Sequence, residues 1–171
     1  MFYCTNVSSP VGDLTLASDD THLVGLWLNG QKYYMHSIPE IPVSKEDGKI
    51  FGMAKEWLAR YFAGEKPLPQ ELPLSPIGSE FRKAVWKELM SIPYGETTTY
   101  GALAKKIAGR FGKVSMSAQA VGGAVAHNPI SIIIPCHRVL GTNGSLTGYA
   151  GGIDKKIQLL NLEGVSWITP N

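Results

Sequence analysis

The chain has 171 residues, 44% of them hydrophobic and 18% charged, a balance that excludes a disordered tail or a fibre. That length buries a real core, either as one medium domain or as two small ones. The net charge of +2 hides a division: residues 1–75 carry 6 Lys and Arg against 9 Asp and Glu (−3), and residues 76–171 carry 10 against 5 (+5), so contacts with anionic partners are expected in the second half.

In chain order, Phe2 to Val7, Leu14 and Leu16 alternating with polar neighbours, and Leu23 to Leu28 predict three short strands of an antiparallel meander. The turns fall at Ser9-Pro10-Val11-Gly12 and Asp19-Asp20. Ile50, Met53, Ala54, Trp57, Leu58 and Tyr61 recur at helical spacing, with Gly64 as the stop, and predict a helix covering one face of the sheet. Lys66 to Gly78 holds Pro67, Pro69, Pro73 and Pro76, which forbid a regular helix and mark a linker. The expected domains are therefore 1–75 and 76–171.

Beyond the linker, Phe81, Ala84, Val85, Leu89 and Ile92 form a helical stripe that stops before Pro93-Tyr94-Gly95. A second helix carries Tyr100, Leu103, Ala104 and Ile107, and a third spans Ser117 to Ala126. In the third, Gly122 and Gly123 give up roughly 1.5–2 kcal/mol of helix propensity relative to alanine. Either tight packing inside the domain or a close approach to something outside it accounts for that loss. The pair reads as a helix-turn-helix. Ile153, Ile157 and Leu160 mark a last helix ending near Glu163-Gly164.

No segment reaches the ~20 apolar residues of a membrane span, and the start lacks the features of a secretory signal, so a cytoplasmic protein (nuclear in a eukaryote) with no membrane partner is expected. Cys4 and Cys136 with His22, His36, His127 and His137 never fall at a zinc-ligand spacing. Neither a metal, nor another cofactor, nor a disulfide is expected. The β-branched run Ser131-Ile132-Ile133-Ile134 predicts a buried strand that leads into Pro135-Cys136-His137-Arg138-Val139. A cysteine there is either inert core or a nucleophile. For the second role its thiol, with an ordinary pKa of about 8.5, needs a positive charge, a base or a helix N-terminus nearby, and His137 and Arg138 are the adjacent candidates.

Asn128-Pro129, Ile134-Pro135-Cys136-His137-Arg138-Val139, Gly148-Tyr149-Ala150-Gly151-Gly152 and Leu162-Glu163-Gly164, in this order, make the chain similar to the O6-alkylguanine-DNA alkyltransferases, the methylated-DNA-protein-cysteine methyltransferases. Val85-Trp86 and Ile92-Pro93-Tyr94-Gly95-Glu96 extend the resemblance back to about Phe81, while the N-terminal part agrees mainly in layout. The resemblance implies an α/β (α+β) chain. A small antiparallel sheet with a helix, ribonuclease H-like, precedes a mainly helical DNA-binding domain with a helix-turn-helix. It implies a single-turnover, suicide transfer of the alkyl group from O6-alkylguanine, with O4-alkylthymine as a second candidate lesion, onto Cys136. It further implies a monomer acting on double-stranded DNA through the minor groove, with the nucleotide flipped out.

By the same resemblance, His137 is the base acting on Cys136 through a water, and Glu163 orients it. Tyr100 gives a proton or hydrogen bond to the departing guanine, and Asn128 braces the turn before the active segment. Tyr149, Ala150 and Val139 line the base pocket. Ala118, Gln119, Ala120, Gly122 and Arg138 meet the DNA, with Lys105, Lys106, Arg110 and Lys113 as further phosphate contacts. Two departures stand out. Gln119 occupies the place where most members have an arginine that fills the gap left by the flipped base, and Gly109 to Lys113 lengthen the turn between the two helices. The rival readings are a non-catalytic damaged-base binding module, a helix-turn-helix regulator reading the major groove, and a cysteine hydrolase. Cys136 speaks against the first, and the lack of Arg or Lys within 117–126 against the second. The third predicts multiple turnovers.

Overall fold

A computed structural model describes residues 1–168. The chain divides into two units: residues 1–77 with 129–133, and residues 78–128 with the part that begins at Ile134. The first therefore runs past the boundary expected at 75/76 and also takes a short segment from the second half of the sequence.

In the first unit, β1 (Tyr3–Val7), β2 (Leu14–Ser18) and β3 (Leu23–Leu28) form the antiparallel meander. β4 (Val43–Ser44) adds in parallel to β1, which gives the order β3-β2-β1-β4. The alternation in β2 suggested one wet face, but all five of its residues are buried. Thr15 tolerates this because its hydroxyl donates to Asn6 Oδ1 at 3.0 Å and lies 2.9 Å from the Tyr34 hydroxyl. Helix α1 (Lys49–Phe62) packs on β2 and β3 and buries Ile50, Phe51, Ala54, Trp57, Leu58 and Tyr61. Gly64, at φ +84°, ends it as a left-handed cap.

The proline-rich stretch is not a free linker. It makes a 3₁₀ turn at Pro69–Glu71 and then runs beside β3, where Leu23 N–H donates to Pro73 O at 2.8 Å and Ser75 N–H to Leu23 O at 2.9 Å. Residues 129–133 also attach to β3. Leu26 N–H donates to Pro129 O at 2.8 Å and Ser131 N–H to Leu26 O at 2.9 Å. The strand expected at 131–134 is absent: a single bridge at Ile130 gives way to a turn with Ile132 at φ +72°. Ile132, Ile133 and Ile134 are all buried, so the β-branched run signals burial and not an extended backbone.

The second unit holds α2 (Glu80–Leu89), α3 (Tyr100–Arg110), α4 (Ala118–Ala126) and α5 (Ile153–Leu162). A two-residue parallel pair joins β5 (Thr98–Thr99) to β6 (Val139–Leu140). Ser79, Thr99 and Ser117 cap α2, α3 and α4 through their side-chain oxygens. α2 and α3 both pack on α4, and Trp86 Nε1 donates to Ala124 O at 2.8 Å. α3 runs through Gly109 and Arg110, which the sequence placed in the turn, so the helix-turn-helix connection is 111–117, with Gly112 at φ +65°.

Candidate active site

Cys136, His137 and Arg138 form one 3₁₀ turn between Pro135 and β6. Because these residues are not in a strand, their side chains do not alternate across a sheet. The turn is fixed from upstream by Asn128, buried at the end of the helix-turn-helix, whose Nδ2 donates to Ile134 O at 2.8 Å. The Asn128 side chain also hydrogen-bonds the Cys136 sulfur.

Glu163, at the C-terminus of α5, is the hub. Its buried carboxylate accepts from His137 Nε2 at 2.6 Å, from Arg138 Nε at 2.8 Å and Nη2 at 3.2 Å, and from Gly95 N–H at 3.1 Å. Burial opposes its ionisation, but the hydrogen bonds and charges of His137 and Arg138 prevail and hold its pKa down at about 2. An ionised carboxylate only accepts, so Nε2 of His137 carries a hydrogen. Burial pushes the fully covered His137 ring below its usual pKa, against the pull of Glu163. The ring is thus neutral, and Nδ1, which has no hydrogen-bond partner among the described residues, is the bare basic nitrogen.

Arg138 does not face outward. It is 6% exposed, grips Glu163, and donates through Nη1 to Ile92 O at 2.6 Å. This corrects its expected place at DNA and as the cation beside the thiol: the buried carboxylate needs a partner, and Arg138 is the one that reaches it. The Pro93-Tyr94-Gly95 turn closes over the same group, with Tyr94 donating its hydroxyl to Leu162 O at 3.1 Å and its ring lying 5.8 Å from the guanidinium carbon.

The cation beside Cys136 is instead Lys156, a residue outside the set expected from the sequence. It sits on the inner face of α5, fully buried, and donates to Val139 O at 2.7 Å, Thr147 Oγ1 at 3.3 Å and Gly148 O at 3.4 Å. Burial lowers its pKa to about 8, against the attraction of Cys136. The signal was present, because Lys156 lies three residues after Ile153 and four before Leu160, on the apolar stripe itself. Burial pushes the Cys136 thiol up, opposed by the Asn128 hydrogen bond and by the Lys156 charge. The resting group is a thiol.

Tyr100 begins α3, half-buried, and its pKa is raised by burial and by the nearby Cys136. Tyr149 and Ala150 are half-buried beside the turn, while Val139 is wholly covered and contributes its carbonyl to Lys156. The remaining candidates lie apart from this cluster. Ala118, Gln119 and Ala120 are exposed on α4 and Gly122 is half-exposed. A Cβ added to Gly122 or Gly123 meets nothing within 4 Å, so packing inside the protein does not require either glycine. Arg110 and Lys106 lean on Glu88, at 2.7 and 3.7 Å, whereas Lys105 and Lys113 are exposed. Among the described residues no group of three or more His, Cys, Asp and Glu side chains could hold a metal ion, and no helix is long and apolar enough to cross a membrane.

Comparison with known proteins places this arrangement. The model of the 6-O-methylguanine DNA methyltransferase ribonuclease-like domain matches residues 2–76, and that of its DNA-binding domain matches residues 80–165. The chain belongs to the 6-O-methylguanine DNA methyltransferase family. It is 46% identical over 157 residues to a methylated-DNA–protein-cysteine methyltransferase of Mycolicibacterium paratuberculosis, covering 92% of this chain and 89% of the relative. It is 44% identical over 165 residues to that of Methanosarcina acetivorans, covering 96% and 99%. Among solved structures, Mycobacterium tuberculosis OGT in complex with DNA superposes with a TM-score of 0.79 at 40% identity, over 95% of this chain and 91% of that one. The family accounts for both the mixed α/β architecture and the helical second unit.

Proposed function

We propose that this chain repairs DNA by transferring the alkyl group of O6-alkylguanine to Cys136, once per molecule. One observation carries the reading: a buried thiol is followed directly by a neutral imidazole whose Nε2–H is held by an ionised carboxylate and whose Nδ1 has no hydrogen-bond partner among the described residues. That is the arrangement of an activated nucleophile with an oriented base. His137 Nδ1 takes the proton of Cys136 through a water. The sulfur attacks the alkyl carbon in line, the new S–C bond forms as the C–O6 bond breaks, and the electron pair leaves with the base. Tyr100 donates to the departing guanine, so negative charge does not accumulate there. Lys156 stabilises the developing thiolate. The thioether product has no route back to a thiol, which makes the reaction stoichiometric.

An alkyl carbon stacked inside a duplex is out of reach of a buried sulfur, so the nucleotide is flipped out, at a cost of a few kcal/mol. α4 enters the minor groove, where Ala118, Ala120 and Gly122 allow close approach, and Gln119 fills the gap. The open space around Gly122 and Gly123 supports this placement, because no neighbour inside the protein explains them. Tyr149 and Ala150 border the base.

The test is incubation with a duplex containing O6-methylguanine, followed by peptide mass analysis. We expect one methyl on the Cys136 peptide per molecule and none in Cys136→Ser, which still binds the duplex. An unmodified thiol with the lesion intact points to a damaged-base binding module, and repeated turnover points to a hydrolase. Substituting O4-methylthymine in the same assay reports the second lesion.

A further inference from the structure

Four residues before Cys136 the backbone takes a form that its side chain disfavours. Ile133 N–H donates to Ser131 O at 2.8 Å and closes a three-residue γ-turn around Ile132, whose φ is +72°. A γ-turn at positive φ is strained for any side chain, and most of all for a β-branched one, whose Cβ crowds the following carbonyl. A second γ-turn follows at once: Cys136 N–H donates to Ile134 O at 2.8 Å around Pro135, at φ −82° and ψ 64°. This is the relaxed mirror form, and it suits the fixed φ of proline. Two turns in series, one strained and one not, therefore deliver the sulfur.

A strained conformation persists only where its surroundings over-determine it. Downstream, Ile134 O accepts from both Cys136 N–H and Asn128 Nδ2, each at 2.8 Å. Upstream, Ser131 is fixed twice: its N–H donates to Leu26 O at 2.9 Å, and its hydroxyl donates to Gln31 Oε1 at 3.0 Å. Gln31 is itself tied down, because the same Oε1 accepts from Leu28 N–H at 3.0 Å and its own N–H donates to Leu28 O at 3.0 Å. Gln31 and Ser131 are 5% and 1% exposed, so this polar pair lies where two apolar side chains would cost less. The cluster around Glu163 contains neither of them. We infer that Gln31 is a positioning residue for Cys136: by holding Ser131 it keeps the turn at Ile132 wound, and the wound turn sets where the chain delivers the sulfur. This deepens the alkyl transfer proposed above and rests on it.

The direction of the effect follows from this geometry. Without the Gln31 acceptor the Ser131 hydroxyl is buried unpaired, and Ile132 lowers its energy by returning to negative φ, which opens the Ile133 bond to Ser131 O. The backbone bond to Leu26 remains, but it lies before the turn and does not resist its unwinding. Pro135 cannot absorb the change, because its ring fixes φ, so the displacement passes on toward Cys136. A shift of about 1 Å is enough to spoil in-line attack on an alkyl carbon. Duplex binding is a separate matter. α4 lies upstream of Asn128 and keeps its own support from α2 and α3, including the Trp86 bond to Ala124 O.

The test compares the full-length parent with its Ser131→Ala, Gln31→Met and doubly substituted variants. Single-turnover methyl transfer to Cys136 is followed at saturating O6-methylguanine duplex, with duplex affinity and residue-resolved amide exchange measured alongside. Each single variant is expected to transfer roughly 10-fold more slowly, with affinity unchanged within about twofold. The double variant is expected to be no slower than the slower single one, because both substitutions break one link. The Ile133 and Cys136 amides are expected to exchange roughly 10-fold faster relative to that of Leu16, which sits in the centre of β2 and reports overall stability. The inference is overturned by parent transfer rates in the single variants, by additive slowing in the double variant, or by a rise in exchange that Leu16 shares in full. It is also overturned, with no variant needing to fold, by an Ile133 amide in the parent that exchanges as freely as one in an open loop. A parent that never methylates Cys136 loses the alkyl transfer, while the exchange measurement still decides whether Gln31 holds the turn.

Discussion

Glu163→Gln removes one oxygen's worth of charge from the point where the site is tied together. In the native protein the carboxylate accepts from His137, from Gly95 N–H and twice from Arg138. Its pKa is held at about 2 against an ordinary 4.5, which corresponds to roughly 3 kcal/mol of native-state preference for the ionised form. Because the folded pKa is the lower one, this stabilisation is fully present above pH 4.5 and is lost as pH falls from there toward 2. Glutamine keeps one acceptor but leaves the Arg138 guanidinium buried without its counter-charge, so a loss of about 3–5 kcal/mol at neutral pH is expected. Its amide also donates to His137 Nε2 in one of its two orientations. That moves the ring hydrogen to Nδ1 and removes the base, so the transfer rate is expected to drop by ~10²–10⁴. Urea unfolding at pH 7 and across pH 2–5, with single-turnover methyl transfer alongside, reads both effects. A glutamine variant that transfers at the parent rate, or that shows the same acid dependence of stability, refutes the reasoning.

Three further expectations use other parts of the molecule. Gln119→Arg adds a charge to an exposed position on α4 and should steepen the dependence of log affinity on log salt by about 0.9, with the single-turnover rate unchanged; a collapse of that rate contradicts it. Trp86→Phe removes the Nε1–H bond to Ala124 O and part of a 1%-exposed ring beneath α4, and should destabilise the fold by about 2–4 kcal/mol in denaturant titration, so a loss below about 0.5 kcal/mol counts against it. Methylated Cys136 adds volume at a position 5% exposed and hydrogen-bonded by Asn128, and should cost about 1–3 kcal/mol. An unaltered melting temperature after reaction excludes that effect.

The helices were legible because their apolar stripes recur at helical spacing and Ser79, Thr99 and Ser117 cap them. β4 was not, because two residues carry no period, and its parallel pairing with β1 joins residues 40 positions apart. The run 131–134 misled because β-branching reports burial and strand alike, and here burial alone is true. Cys136, His137 and Glu163 came from family resemblance, since nothing local connects Glu163 to a histidine 26 positions earlier. Lys156 went unnoticed because a lysine defaults to solvent. Only the packing of α5 against the Cys136 turn makes it chemical.

The brief excursion of residues 129–133 into the first unit bears on how the protein can be dissected. Cutting the gene in the proline-rich stretch strips Leu26 of both backbone partners and opens an edge on β3, a template for aggregation. The complementary piece, meanwhile, keeps an apolar run with nothing to lie against, a few residues ahead of its reactive sulfur. Modularity in the family models does not translate into separable fragments, and a truncated catalytic piece should be judged by its solubility before its activity is read.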